Sequence, residues 1–405
     1  MGAFIRGLGS ALLVGALTVG LAGAPASATP PDKVGHADLK AAMAELARSG
    51  AAGVQVRLHD EHGNWTGSAG VRELRGGTVP TNGRFRVGSI TKTFVATVLL
   101  QLVDEGALAL DDPAAGYLPE YGLDQRITVR MLLQHTSGLF NYTGEPRPDG
   151  TVEPGIPLYG KEFVKNQYHM YAPEELVGVA LSKPARFEPG TSWSYSNTNY
   201  ILAGQLIERL TGTSYAKQVR QRILRPLGLR ETTLPGASPW LPNPHANGYY
   251  TFRDKGKLKV VDVSTVNPTW AGAAGEIIST TRDLDTFLDA LLDGELLPAG
   301  LLAEMRDALP LGPTDGYGLG LQTLDAGDQC GGVYEGHTGG MHGYQSFLFS
   351  NGDKQFTMSL TVGDADLEDP ATAERLAVAL NNVLVAALCD GAQARTPMLV
   401  PQMAA

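Results

Sequence analysis

The chain has 405 residues, a formal net charge of −10 and 43% hydrophobic residues. That hydrophobic content excludes an intrinsically disordered chain. An acidic balance with no Lys/Arg block excludes nucleic acid or an anionic membrane surface as a partner. The first 28 residues read as a secretory signal: Arg6, an apolar run over 8–21 and the small-residue site Ala26-Ser27-Ala28, with cleavage after Ala28. The apolar run is broken by Gly and short for a membrane span, and no later segment reads as long and apolar enough to cross a bilayer. The expectation is a secreted, monomeric protein. Cys330 and Cys389 are the two cysteines. In an oxidising compartment they are expected to form one disulfide.

Residues 36–50 have helical periodicity, with Leu39, Met43 and Leu46 on one side. GVQVRLHD and WTGSAGVREL then read as a hairpin across Glu61-His62-Gly63-Asn64. The run over 89–106 is a long helix, apolar nearly all round through Phe94, Val95, Val98, Leu99 and Leu102, as suits a central buried helix. Residues 128–133 form a short helix. Residues 141–168 are Pro- and Gly-rich without periodicity, and a loop that long in a compact domain is functional or mobile. Amphipathic helices follow over 172–181, 198–210, 214–227 and 281–292. The last third returns to strands in GYGLGLQTL, GVYEG, GYQSFLFS and QFTMSLTVG, and a helix over 371–388 closes the fold. Residues 390–405 carry no periodicity and read as a disordered tail.

Strands at both ends with helices between them imply one α+β domain over residues 29–389. The terminal helices would cover one antiparallel sheet, and a mostly helical lobe over roughly 107–270 would be inserted. A cleft between the lobes is the default site. No cofactor is expected. The eight histidines form no metal-ligand pattern; His337 and His342 are five apart across glycines.

Three short stretches carry chemistry. In Ser89-Ile90-Thr91-Lys92 the i, i+3 spacing holds a hydroxyl and an amine one helical turn apart. A serine needs a nearby base to become a nucleophile, and a buried lysine can be that base. Tyr195-Ser196-Asn197 lies on a strand-to-helix corner, with Asn197 read as the N-cap. His337-Thr338-Gly339-Gly340 ends one strand and precedes another, where glycines let backbone approach a ligand and an edge strand could pair with an extended peptide. Each stretch alone also suits a purely structural role: an N-cap, a buried Tyr beside a capping Asn, a Gly-rich turn.

The order of the three, S-x-x-K, then Y-S-N, then H-T-G, resembles the penicillin-interacting serine hydrolases. FRVGSITKTF, ITVRMLLQHTSGL, SYSNTNY, TWAGAAG, YGLGL and YEGHTG look closest to secreted D-alanyl-D-alanine carboxypeptidases of the actinomycete type. The likeness also covers class C β-lactamases and related esterases, and the Cys pair falls where the actinomycete carboxypeptidase branch would bridge. The resemblance implies a β-lactamase/penicillin-binding-protein-like fold and a DD-carboxypeptidase working through an acyl-enzyme on Ser89, with peptides and β-lactams as partners. Lys92 and Tyr195 would move the proton. Asn197, His337, Thr338, Gly339 and Gly340 would bind substrate. The backbone N–H groups of Ser89 and Gly340 would form the oxyanion hole, and Trp270 could wall the cleft. Two departures stand out. Gly340 lacks a hydroxyl that would help hold a substrate carboxylate, and Gln322 stands where an Arg for that carboxylate is expected, with Arg306 the nearest basic residue upstream. These departures open β-lactamase, esterase and D-aminopeptidase or amidase readings.

Overall fold

The computed structural model describes residues 36–147 and 151–389. The expected signal and the expected tail lie outside the described residues. Eight strands form one antiparallel sheet: β1 (Ala51–Asp60), β2 (Gly63–Gly70), β3 (Leu309–Pro310), β4 (Asp315–Tyr317), β5 (Gln322–Asp325), β6 (Val333–Met341), β7 (Tyr344–Ser350) and β8 (Gln355–Val362). Their spatial order is β2-β1-β8-β7-β6-β5-β4-β3. The two ends of the chain thus meet at β1 and β8, paired from Ala51–Val362 to His59–Gln355. The helices that position the site are α1 (Ala37–Arg48), α2 (Thr91–Asp104), α3 (Asn197–Thr211), α4 (Thr281–Leu292) and α5 (Pro370–Leu388).

Strand alternation gives the sheet two different faces. Val54, Val56 and Leu58 of β1 and Phe356, Met358 and Leu360 of β8 pack against Leu39, Met43 and Leu46 of α1 and Leu380, Val383 and Leu384 of α5. By length and composition α5 is apolar enough to cross a membrane, which sequence reading excluded. Here one of its faces is buried in this core. Cys330 and Cys389 are bonded, tying the approach to β6 to the end of α5. The opposite face carries α4, which packs on β1, β7 and β8. Phe94 of α2 stacks on Phe287 of α4 at 3.6 Å between ring centroids, joining the sheet to a second core of helices.

Several boundaries differ from expectation. The second hairpin strand stops at Gly70 because φ +81 there turns the chain away. GYGLGLQTL is two strands, not one, with the turn closed by Gly318 N–H donating to the Leu321 carbonyl. Residues 214–227 hold an α-helix only over Tyr215–Val219, which widens into a π turn over Arg220–Leu224. The aperiodic stretch 141–168 contains a helix at Gly160–Asn166, too short to show a periodic pattern.

Asp285 of α4 is buried against the sheet. It accepts a hydrogen bond from Thr357, lies 3.6 Å from Arg57 Nε, and its backbone carbonyl accepts from Gln355. Burial first, with Asp289 adding repulsion, pushes its carboxyl up to about 7 from 3.8. The folded state therefore binds this proton more tightly than the unfolded chain. That contribution to stability is full below pH ~4 and is lost as pH rises through ~7. Asp285→Asn should remove about 2 kcal/mol of pH dependence between ~pH 5 and ~pH 8. Chemical denaturation at the two pH values checks this; parallel wild-type and variant curves would show that Asp285 does not titrate there.

Candidate active site

Ser89 sits in a 3-10 turn, Gly88–Ile90, that leads directly into α2. Two bonds lock the turn to the neighbouring segment: Val87 N–H donates to Ile277 O at 2.9 Å, and Ile277 N–H donates to Thr91 Oγ1 at 3.1 Å. The i, i+3 geometry survives this 3-10 start. Lys92 Nζ lies 3.0 Å from Ser89 Oγ, 2.8 Å from Asn197 Oδ1 and 2.7 Å from the Ala274 carbonyl. Lys92 is fully buried. Burial drives its amine well below the usual lysine value.

Those three neighbours decide how a neutral amine would sit. The Asn197 and Ala274 oxygens can only accept, so they take its two N–H groups. The remaining lone pair is left for the Ser89 hydroxyl, the one partner able to donate. Lys92 Nζ also lies 4.8 Å from the centre of the Tyr195 ring. Burial raises the Tyr195 phenol, and a hydrogen bond with Ser89 offsets this only in part, so the phenol keeps its proton at neutral pH.

Asn197 is the first residue of α3; Ser196, not Asn197, occupies the cap position. Both ends of the Asn197 amide are used within the protein. Oδ1 accepts from Lys92, and Nδ2 donates to Thr143 Oγ1 at 3.3 Å. Its side chain thus bridges the lysine to the long 141–168 segment. That segment is part of the site's surroundings. Tyr142 Oη donates to the Trp270 carbonyl at 2.6 Å, and His342 donates to the Leu158 carbonyl at 2.9 Å. Trp270 is 7% exposed and its indole N–H has no hydrogen-bond partner.

His337, Thr338, Gly339 and Gly340 lie inside β6, not between strands. Pairing with β5 stops at Gln322–Gly336, so from His337 onward β6 keeps a ladder with β7 alone, the edge that sequence reading expected. The strand runs hard against the Gly88–Ile90 turn. A Cβ on Gly339 would lie 1.9 Å from Val87 O, and one on Gly88 would lie 2.5 Å from Gly340 N. Only glycine backbones can approach this closely, and the approach brings Gly340 N beside the residue preceding Ser89.

The expected substrate-binding side chains are already engaged. Thr338 donates through N–H (2.8 Å) and Oγ1 (3.1 Å) to Gln322 Oε1. His337 Nδ1 donates to the Thr338 carbonyl at 2.5 Å, and its Nε2 faces Tyr317 Oη at 2.9 Å. Burial, with Lys92 adding repulsion, pushes the imidazole down to about 3. Arg306 is paired with Glu335 at 2.9 Å. Sequence reading missed Ala274, Asn141, Thr143, His135 and Tyr317. The Ala274 carbonyl accepts from Lys92 and Asn141 Oδ1 accepts from the Asn197 backbone N–H, partners that a motif search does not register.

The beta-lactamase family model matches residues 36–382. A D-stereospecific amidohydrolase from Streptomyces sp. superposes with TM-score 0.76 at 39% identity, covering 89% of this chain and 100% of that one. The D-amino acid amidase from Ochrobactrum anthropi SV3, complexed with L-phenylalanine, gives TM-score 0.70 at 26% identity over 85% of this chain and 98% of that one. Penicillin-binding protein 4* of Bacillus subtilis is 27% identical over 291 residues, 69% of this chain and 60% of that protein. The chain thus spans less than two thirds of that curated relative. With the antiparallel sheet, the buried Ser89–Lys92 pair and the family match in agreement, the chain belongs to the beta-lactamase family of penicillin-interacting serine hydrolases.

Proposed function

We propose that this protein hydrolyses amide bonds of D-amino acyl substrates through an acyl-enzyme on Ser89. The observation that carries the mechanism is the neighbourhood of Lys92 Nζ, two obligate acceptors and the Ser89 hydroxyl. As Ser89 Oγ bonds to the substrate carbonyl carbon, its proton passes to the neutral Lys92 amine. The leaving nitrogen takes a proton from Tyr195, which recovers one from Lys92, as the C–N bond breaks. Water then attacks the ester along the same route and restores the Ser89 hydroxyl. The N–H groups of Ser89 and Gly340 would hold the oxyanion, a role worth about 10²–10³ in rate per donor elsewhere.

The choice of an amidohydrolase rests on what faces the substrate. A carboxypeptidase gains a strong anchor from a cation on the terminal carboxylate. Here Gln322 turns its carbonyl to Thr338, and Arg306 is tied to Glu335. The amidohydrolase and amidase relatives add to this reading. D-Ala-D-Ala carboxypeptidase is the second reading, favoured by the end of β6 past Thr338, which pairs with β7 alone, and by the penicillin-binding relative. The signal-like pattern of the first 28 residues and the Cys330–Cys389 bond support export. The test compares ammonia release from D-phenylalanine amide with D-Ala release from an N-acylated D-Ala-D-Ala peptide. We expect kcat/KM at least ~10-fold higher for the amide and weak activity on the L-amide. The reverse ranking would establish the carboxypeptidase.

A further inference from the structure

His135 follows the helix Val129–Gln134 in a left-handed conformation, φ 63, and is fully buried. Its ring lies behind Tyr195, with centroids 4.2 Å apart. Its Nδ1 accepts from Ser196 N–H at 3.2 Å and from Asn199 Nδ2 at 3.1 Å. Its own carbonyl accepts from Ser194 N–H at 3.1 Å. The corner that carries Tyr195 is therefore held on both sides by one residue. With Nδ1 an acceptor twice over, the ring proton is on Nε2, which lies 3.2 Å from Tyr317 Oη. On the other side, His337 Nδ1 must donate, because its partner is the Thr338 carbonyl. His337 Nε2 is then the acceptor of the Tyr317 hydroxyl proton at 2.9 Å.

All the hydrogen bonds run in one direction, from the Tyr195 corner through His135 and Tyr317 to His337 and the carbonyl of Thr338. No member can reverse its bond without leaving a buried group unpaired, which costs about 1–3 kcal/mol. We propose that Tyr317 and His135 are positioning residues: the imidazole–phenol–imidazole chain locks both histidines in single neutral tautomers and holds the Tyr195–Asn197 corner in register with the His337–Thr338 strand across the back of the site. Burial supports the same state, since it disfavours a proton on either imidazole.

Nitrogen-15 NMR of the intact protein tests the chain without any substrate, so its outcome does not depend on what Ser89 hydrolyses. We expect His135 as the Nε2–H tautomer and His337 as the Nδ1–H tautomer, with neither ring titrating between about pH 5 and pH 9. The opposite tautomer at either ring, or titration near the ordinary histidine value, overturns the proposal. The second arm is Tyr317→Phe, assayed with p-nitrophenyl acetate. The expected loss is about 10–100-fold in kcat with KM changed less than about threefold, and loss of the single His337 tautomer. Unchanged kcat, or a change confined to KM, would overturn it as well. If the variant fails to fold, the wild-type spectra still decide.

Discussion

Replacing Lys92 with Met is expected to lower the rate of Ser89 acylation by at least ~10³-fold while raising the melting temperature at neutral pH. The two effects have one cause. Lys92 is fully buried, and no carboxylate lies among its hydrogen-bond partners, which are a hydroxyl and two carbonyl oxygens. Its folded value lies well below the unfolded one of 10.5. Between the two values the unfolded chain holds a proton that the folded chain does not. Stability therefore rises with pH through this window and is fully regained only above ~10.5. Met keeps the length, needs no proton and removes that desolvation cost, at the expense of leaving the Asn197 and Ala274 oxygens short of a donor. The rate loss follows because Tyr195, which also bonds Ser89, keeps its proton and cannot take over as the base. Stopped-flow acylation and thermal melts at pH ~7 check both halves. A variant that keeps its rate would remove Lys92 from the proton path.

Gly88→Ala should be nearly as damaging to the chemistry, for a steric reason. Gly88 has φ +55, and its missing Cβ would sit 2.5 Å from Gly340 N and 2.6 Å from Gly340 O. These are backbone atoms inside the sheet and cannot swing aside. The methyl would separate the Gly88–Ile90 turn from β6 and spoil the geometry of both expected oxyanion donors. We expect kcat to fall by about 10²–10³. Gly106→Ala is the matched control. Gly106 has φ +71 and nothing within 4 Å of a new Cβ. It should lose about 1 kcal/mol of stability from backbone strain alone and keep its kcat. If both variants lose stability and neither loses activity, the close approach of β6 is not part of the catalytic geometry.

Helices α1 and α4 were legible because their apolar positions recur at helical spacing: Leu39, Met43 and Leu46 in one, and Leu284, Phe287, Leu288 and Leu291 in the other, are all buried as that pattern requires. The Ser89–Lys92 pair was legible because i, i+3 spacing on one turn is a local property. The disulfide was legible because two cysteines stand in a chain whose first 28 residues read as a secretory signal. What was not legible depends on tertiary neighbours. His337-Thr338-Gly339 read as lying between two strands because glycines look like breakers, yet they are residues inside one strand, placed against Val87. Asn197 read as a cap because Asn commonly caps, yet its amide is used by Lys92 and Thr143. His135 and Tyr317 are 182 residues apart, and no spacing rule connects them.

The most direct measurement of the central claim is peptide-level mass spectrometry after acid quench of the protein with benzylpenicillin. The expected result is one equivalent of acyl adduct on the peptide containing Ser89, formed at least ~10³-fold more slowly in Lys92→Met and absent in Ser89→Ala. An unlabelled wild-type chain, an adduct on another residue, or labelling that survives Ser89→Ala would contradict the assignment of Ser89 as the nucleophile.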